Sequence, residues 1–395
     1  MPVDYTSLRP YAETDQQKAY LEAVIQHGGL RAAQRALGHS TTGTIGNALG
    51  RIKARAARQG WAPEHDWRNS VPEGYAMKGT STLYGAEGEL KQQWVKTDKD
   101  ALRQFELAKE ALLGMADELP RLPPTPPKSI GAYNTDLMTV IPIADAHIGM
   151  YSHHEETGED YDTTIACSDT CAAVDYLVQR GPASSHCLIV NLGDLLHADN
   201  LKGMTEKSGN VLDMDTRMSL VMRKALAAVR QCISSALEKH DTVEYMHIGG
   251  NHDEILAHAF RIAFAAIYEN EPRVTIHDSP RTRQYKQFGA VLIGCVHGHQ
   301  TKDTQLPGIM AAEQSKAWGD TRHRYFFRGH HHHDDRKEYP GCIVEQFRNL
   351  AAADAYAAEH GFLSGRDMKS IVMHKDFGEV SRITCAVDML RRDVA

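Results

Sequence analysis

The sequence lacks what several protein classes require. No apolar run approaches the roughly 20 residues that span a bilayer; stretches such as Ala290–Val296 are far shorter, so no membrane association is expected. Met1 is followed by Pro2, Val3 and Asp4, without the basic start and apolar core of a signal peptide. The seven cysteines are an odd number and form no Cys-x-x-Cys pair. That excludes a disulfide scaffold and a zinc ribbon, and it points to free thiols in a reducing, cytoplasmic compartment. The Gly-Lys dipeptide of a Walker loop occurs nowhere, which excludes an intrinsic P-loop ATPase. A net charge of −7 excludes a uniformly basic nucleic-acid coat, though not a local basic patch, because charges act within about 10 Å at moderate salt. Internal repeats are absent.

What is present is a globular composition, 42% apolar and 24% charged over 395 residues, enough for two or three domains with a sizeable core. The anomaly is 22 histidines. Imidazole is the commonest transition-metal ligand among side chains, so the excess directs attention to metal chemistry.

Composition divides the chain into zones. Residues 1–67 read as helical: Gln16–His27 stops at Gly28-Gly29, Leu30–Leu37 closes at Gly38, and a third helix capped from Ser40, Thr41 or Thr42 runs to about Gln59. Two helices about a glycine turn, the second basic, outline a helix-turn-helix. Between Gly28 and Gly60 stand Arg31, Arg35, Arg51, Lys53, Arg55 and Arg58, and no Asp or Glu. Such a stripe fits phosphate contact, and it fits equally a docking domain with a solvated basic face. Residues 68–118 read as a connector: a hairpin of Thr80–Tyr84 and Leu90–Lys96, then a helix capped by Asp98 and running to Glu118. A stiff linker at 119–134 carries Pro120, Pro123, Pro124, Pro126 and Pro127. From 135 to 395 short apolar runs alternate with helical stretches such as Asp213–His240, which implies an α/β layered domain. The runs are Met138–Ala144, Cys187–Asn191, Thr242–Ile248, Val274–His277, Val291–Val296 and Tyr325–Phe327. Cys342–Leu350 and Ile371–Val387 read as later strands with a helix between.

The chemistry-bearing residues sit where these runs end: Asp145-Ala146-His147, then Gly193-Asp194 with His197, then Gly250-Asn251-His252-Asp253, then His297-Gly298-His299, then Gly329-His330-His331-His332. Singly, each is an ordinary turn or cap. In sequence they form one pattern, and ligand sites of α/β sheets gather beyond the carboxyl ends of strands.

Together the five clusters resemble the calcineurin-like metallophosphoesterase superfamily, whose motifs run Asp-x-His, Gly-Asp, Gly-Asn-His-Asp/Glu, His and Gly-His-x-His. The likeness covers about residues 138–335. Gly193-Asp194-Leu195-Leu196-His197 with Asn200 looks most like nucleases of the SbcD and Mre type, and His297-Gly298-His299-Gln300 matches small phosphodiesterases equally well. Separately, Ala36–Ser40 resembles helix-turn-helix domains of phage proteins such as small terminase subunits, which suggests a bacterial or phage-infected cell.

The resemblance implies a four-layer α/β/β/α sandwich. It implies two divalent metal ions, one held by Asp145, His147 and His332, the other by Asn251, His297 and His330, with Asp194 bridging them. Phosphodiester hydrolysis needs such a pair, about 4 Å apart, to neutralise the anion and supply hydroxide near neutral pH. Imidazole, carboxylate and amide oxygen without thiolate suit Mn2+ or Fe2+, with Zn2+ or Ni2+ as further occupants. His252 is implied as proton donor to the leaving oxygen, with Asp253 orienting its ring. His197 is implied either as a substrate contact near the scissile phosphate or as a hydrogen-bonding support. Only about sixty residues follow Asp335, too few for the full DNA-gripping cap of the SbcD type, so the basic N-terminal domain is expected to supply grip.

DNA is the expected substrate and partner. A small-nucleotide phosphodiesterase or phosphatase, and a non-catalytic DNA-binding protein, are the alternatives; the eight motif residues Asp145, His147, Asp194, Asn251, His252, His297, His330 and His332 are all present against the last. Oligomeric state stays open, a homo-oligomer included.

Overall fold

A computed structural model describes residues 5–39, 41–58, 75–84, 90–99, 106, 109–115, 133–200, 203–204, 212–361 and 364–391. Two compact units divide the chain, Met1–Leu107 and Ala108–Ala395. The proline run of 119–132 lies outside the described residues.

In the first unit three helices, α1 (Asp15–His27), α2 (Leu30–Ala36) and α3 (Gly43–Arg58), follow a 3-10 turn at Tyr5–Tyr11. Thr14 caps α1, its hydroxyl accepting the Gln17 N–H at 3.2 Å, and Gly28 ends it in the left-handed region at φ 73°. Leu8, Leu21, Val24, Ala33, Ile45, Leu49 and Ile52 form its core. The strands β1 (Tyr75–Tyr84) and β2 (Leu90–Lys99) pair antiparallel. Asp98 lies inside β2, paired with Ala76, and residues 109–115 are helical. The expected cap at Asp98 is thereby corrected. A residue that reads as an N-cap in isolation is drawn into the strand ladder by its partner.

The second unit is an α/β/β/α sandwich. Its six-stranded sheet runs β13-β12-β3-β4-β5-β6, and its five-stranded sheet β10-β11-β9-β8-β7. In the larger sheet β3 (Asn134–Ile143), β4 (Ser184–Asn191), β5 (Thr242–His247) and β6 (Val274–His277) are parallel, with β12 (Asp367–His374) and β13 (Gly378–Ala386) antiparallel. In the smaller sheet β8 (Val291–Val296), β9 (His323–Arg328) and β11 (Cys342–Gln346) are parallel, flanked by antiparallel β7 (Gln284–Phe288) and β10 (Asp335–Tyr339).

Strand β8 shows why its apolar run is unbroken. Val291, Ile293 and Cys295 face the core between the sheets, and Leu292 and Val296 face a second core under a helix. A strand covered on both faces has no polar side to alternate. The inner core also takes Val140, Leu188, Val190, Met246, Phe327 and Ile371. Of the remaining helices, α4 (His154–Thr157), α5 (Thr163–Arg180), α6 (Met218–Leu237) and α7 (Glu254–Ile267), the last three pack on the larger sheet. On the smaller sheet, α8 (Leu306–Glu313) seats Leu306 and Met310 against Phe326 and Val344, followed by α9 (Ser315–Asp320). Short helices α10 (Ala355–Glu359) and α11 (Val387–Arg391) complete the unit. Among the described residues no helix is long and apolar enough to cross a membrane.

Candidate metal centre

The carboxyl ends of β3, β4, β5, β8 and β9 converge on one edge of the sandwich, and the loops leaving them carry every motif residue. Asp145, Asp194 and His297 are at most 1% exposed, and His147 is 4% exposed. Among the described residues, the non-glycine residues with positive φ are Asp145, His147, Asp194, His330 and His332, at 44° to 80°. Each pays about 1–3 kcal/mol for a backbone that side chains rarely adopt, and such strain collects at functional sites. Here all five are residues expected to ligate metal.

Among the described residues four groups of three donors stand close enough to share an ion, and two of them are made wholly of expected ligands. Asp145, His147 and His332 are one; Asp194, His297 and His330 are the other. In the first, His147 Nε2 lies 3.3 Å from His332 Nε2, which lies 3.4 Å from Asp145 Oδ1. The backbone N–H of His330 donates to both Asp145 oxygens at 3.0 and 2.9 Å. In the second, His297 donates from Nδ1 to the Leu192 carbonyl at 2.9 Å, joining the two sheets. That leaves Nε2 as a lone pair. It faces Asp194 Oδ2 at 3.1 Å and Asn251 Oδ1 at 3.0 Å.

Three acceptors aimed at one another repel unless a cation or proton stands among them. The donor set therefore fits a metal ion, and nitrogen with oxygen ligands suits the borderline divalent metals. Six of the seven cysteines are buried and the seventh half-buried, none in a donor group among the described residues. Protonation shows the same demand for positive charge. Burial works against a charged His297, yet Asp194 beside it raises its pKa to about 9. His332 is likewise raised against burial by Asp145. Burial, then neighbouring imidazoles, lowers His147, and His330 falls to about 4 through burial and His297.

Glycines let the loops close. A Cβ on Gly250 would stand 1.9 Å from Asp194 Oδ1, and one on Gly329 would stand 2.4 Å from Asp145 Oδ2. No side chain fits either place.

His252 presents its ring to the cavity over these groups. Its Nδ1 donates to the His197 carbonyl at 2.8 Å, and its backbone N–H donates to Asp194 Oδ1 at 2.8 Å. The expected support from Asp253 does not form. Asp253 is 1% exposed and accepts backbone N–H groups of Gly250 (2.8 Å), Asp194 (3.2 Å) and Leu196 (3.2 Å). It stands just before α7 but makes no cap bond to that helix; the loop N–H groups occupy both carboxylate oxygens, which leaves none for the neighbouring ring. Burial and the Asp194 charge push its pKa to about 6.

His197 is 2% exposed, and its Nδ1 meets His147 Nδ1 at 3.2 Å. It stacks on His252 with ring centroids 5.4 Å apart. Of its two expected roles the geometry favours the supporting one, because the ring lies behind His147 and His252 rather than at the cavity surface. Burial, then His252, lowers its pKa to about 3, so its ring is neutral and shares one proton with His147 across the Nδ1–Nδ1 contact. Asn200 braces its own loop, donating to the Met204 carbonyl at 2.6 Å.

A cavity of about 720 Å³ opens over the donors, lined by His147, Asp194, Asn251, His252, His330 and His332. Its far wall is Asn349, Ala351–Ala353, Asp354, Glu159 and Arg366, and Arg366 is paired with Glu159 and Asp169. Sequence reading missed this wall, which carries no motif spacing. It also missed Tyr161, whose buried hydroxyl donates to the Ala146 carbonyl at 2.7 Å and steadies the first motif loop.

In the first unit Arg31, Arg35 and Arg51 are exposed. Lys53 lies over the Tyr5 ring, and Arg55 is bound to Glu13 and the Tyr11 carbonyl. The Arg58 side chain lies outside the described set.

Compared by sequence, the chain matches no protein-family profile and no curated protein. Solved structures do align with it. One is a dimetal phosphatase from Danio rerio, 10% identical, covering 63% of this chain and 99% of that one, TM-score 0.35. Another is an archaeal phosphodiesterase, 12% identical, covering 63% and 100%, TM-score 0.32. A third is a Vps29 from Entamoeba histolytica complexed with zinc, 13% identical, covering 63% and 99%, TM-score 0.27.

Proposed function

We propose that this protein hydrolyses phosphodiesters with two divalent metal ions, Mn2+ first among them. The observation that carries the reading is the pair of neighbouring donor groups, Asp145 with His147 and His332, and buried Asp194 with His297 and His330, whose ligand atoms converge within each group. Asp145, His147 and His332 would hold one ion, Asn251, His297 and His330 the other, and Asp194 both. When bound, such a pair neutralises a phosphoryl group and makes water acidic enough to attack near neutral pH.

The chain's own residues do the rest. His252, anchored through Nδ1 to the His197 carbonyl, keeps Nε2 as the atom that delivers a proton to the leaving oxygen as the P–O bond breaks. His197 engages Nδ1 of His147 and so leaves the His147 Nε2 facing the centre. Asp253 holds the backbone of the Asp194 loop, and its work is positional.

DNA is the substrate we propose, supported by the basic stretch Gly28–Gly60, which holds no Asp or Glu. A small nucleotide is the second reading. It is supported by the cavity lining, which carries acidic Glu159 and Asp354, several alanines and a single Arg366 that is itself paired with Glu159 and Asp169, rather than a basic track. The deciding experiment digests end-labelled single- and double-stranded DNA with Mn2+, beside a chromogenic phosphodiester, with Asp194→Ala as blank. Cleavage of DNA absent from the blank supports the first reading. Turnover of the diester alone supports the second, and inertness toward both overturns the hydrolytic proposal.

A further inference from the structure

Of the four donor groups, three draw on the motif loops and one does not. His153, His154 and Asp160 each place a ligand atom within 4.8 Å of the other two, in the loop between β3 and α5. None of the three lines the cavity. The loop is closed at its base, where Ser152 and Tyr161 exchange backbone hydrogen bonds at 2.9 and 3.0 Å. The Ser152 hydroxyl donates to the Ala353 carbonyl at 2.8 Å, and Tyr161 reaches Ala146, so both ends are fixed to the sandwich. Between them α4 turns the chain. Gly158, at φ 92°, then carries it back past His154, donating to the His154 carbonyl at 3.0 Å.

That return sets Asp160 beside two imidazoles. Its Oδ1 accepts the His154 backbone N–H at 2.8 Å and stands 3.0 Å from His154 Nδ1. These two bonds hold the Asp160 carboxyl below its ordinary value, so it is a carboxylate. The His153 ring lies alongside that of His154, centroids 4.5 Å apart and planes tilted by 32°. Its Nδ1 accepts the Glu155 N–H at 3.3 Å and therefore carries a lone pair. Two ligand atoms at about 2.1 Å from one ion stand about 3.0–3.4 Å apart, which is the spacing the His154–Asp160 pair already has. A hydrogen bond alone gives that spacing too, but it does not call for the second imidazole aligned with the first. Charge is the independent observation. Among the described residues no Lys or Arg pairs with Asp160, whereas Glu159 beside it is taken by Arg366 and Arg391.

We propose that His153, His154 and Asp160 bind a further divalent ion of the borderline class, Zn2+ foremost, outside the hydrolytic centre. Two imidazoles and a carboxylate without thiolate are a donor set for such ions. The side chains of His154 and Asp160 are 57% and 56% exposed, so an ion reaches them from solvent, water completes its shell, and the rings turn freely onto it. The ion joins the start of the loop to its end. The same loop sets Thr157 and Glu159 in the cavity wall, and α4 packs against α10. The ion therefore braces that wall from outside and does not meet substrate. This inference stands independently of the hydrolytic reading.

The test uses the full chain, stripped with EDTA and dialysed against Zn2+. Ions per chain are counted by mass spectrometry, and amide hydrogen exchange is followed over residues 152–161. His154→Ala and Asp160→Ala should each hold one ion fewer than wild type. Both should keep the fold by circular dichroism, because the side chains they remove are exposed. Exchange over the loop should slow on adding Zn2+ to wild type and should not slow in either variant. His153→Ala should weaken the extra ion by at least about tenfold. Glu156→Ala removes an exposed acid of the same loop and should match wild type, which separates a built site from general attraction to negative charge. The same loss on His154→Ala is expected in an Asp194→Ala background, where the centre itself is impaired. Ion counts and exchange equal to wild type in His154→Ala and Asp160→Ala overturn the proposal. Absent diester turnover with the loop ion in place sinks only the hydrolytic reading.

Discussion

The Asp253 carboxylate accepts the backbone N–H of Asp194 at 3.2 Å, and so ties the loop after β5 to the loop after β4. With Gly250 and Leu196 it satisfies three N–H groups in a fully buried place. Asp253→Ala would leave all three without their acceptor. Each orphaned buried donor costs about 1–3 kcal/mol, so a loss of about 3 kcal/mol or more is expected, seen as a lower midpoint in urea. Metal content by mass spectrometry should fall with it, because the Asp194 backbone is released. A variant with full stability and metal would show that Asp253 braces nothing.

His252 separates chemistry from metal retention. Its ring faces the cavity and stands edge-on to His147 with centroids 5.0 Å apart, and its backbone N–H donates to Asp194. His252→Ala keeps that N–H. Turnover of a chromogenic diester should drop by about 10²–10⁴-fold, the range for a lost proton donor, with metal content nearly intact. Asp194→Ala should lower both. Wild-type turnover in His252→Ala would end its role as donor.

The strands of the sandwich and the positions of the donors were readable because both follow from local pattern. Parallel strands buried on two faces give unbroken apolar runs, and the donors stand where those runs stop. What escaped has physical causes. Gln284–Phe288 and Asp335–Tyr339 are edge strands rich in polar residues, so they carry no apolar signal. The roles of Asp253 and His197 depend on which way a buried side chain turns, and spacing does not encode that. The cavity wall at Asn349–Asp354 and Arg366 is set by tertiary placement of segments with no motif.

Gly250 offers a steric test of the closed loop. Its Cβ would fall 2.5 Å from the Asp194 backbone nitrogen as well as 1.9 Å from Oδ1. Backbone cannot swing aside as a flexible side chain does, so Gly250→Ala must shift Asp194. Overpacking of this kind costs about 1–3 kcal/mol, and loss of bound metal and of turnover should accompany it. Gly308→Ala in α8, where nothing lies within 4 Å, is the matched control and should be neutral or stabilising. Equal behaviour of the two variants would refute the close packing at Gly250.

Glu244 gives the fold a pH dependence away from the centre. On β5 of the larger sheet it accepts from His277 Nε2 at 2.8 Å and is paired with Lys286 on β7 of the smaller one. Burial opposes its charge, yet these two partners hold its carboxyl at about 2, below the ordinary value of 4.5. A carboxyl lowered on folding contributes stability that is complete above its unfolded pKa and disappears as pH falls through its folded one. Glu244→Gln should therefore be less stable than wild type at pH 7, and the gap should narrow between pH 4.5 and about 2. Urea midpoints measured across that window decide it. A gap that stays constant with pH would mean that Glu244 acts through packing alone, and that its pairing with His277 in the same sheet and with Lys286 across the sheets contributes nothing.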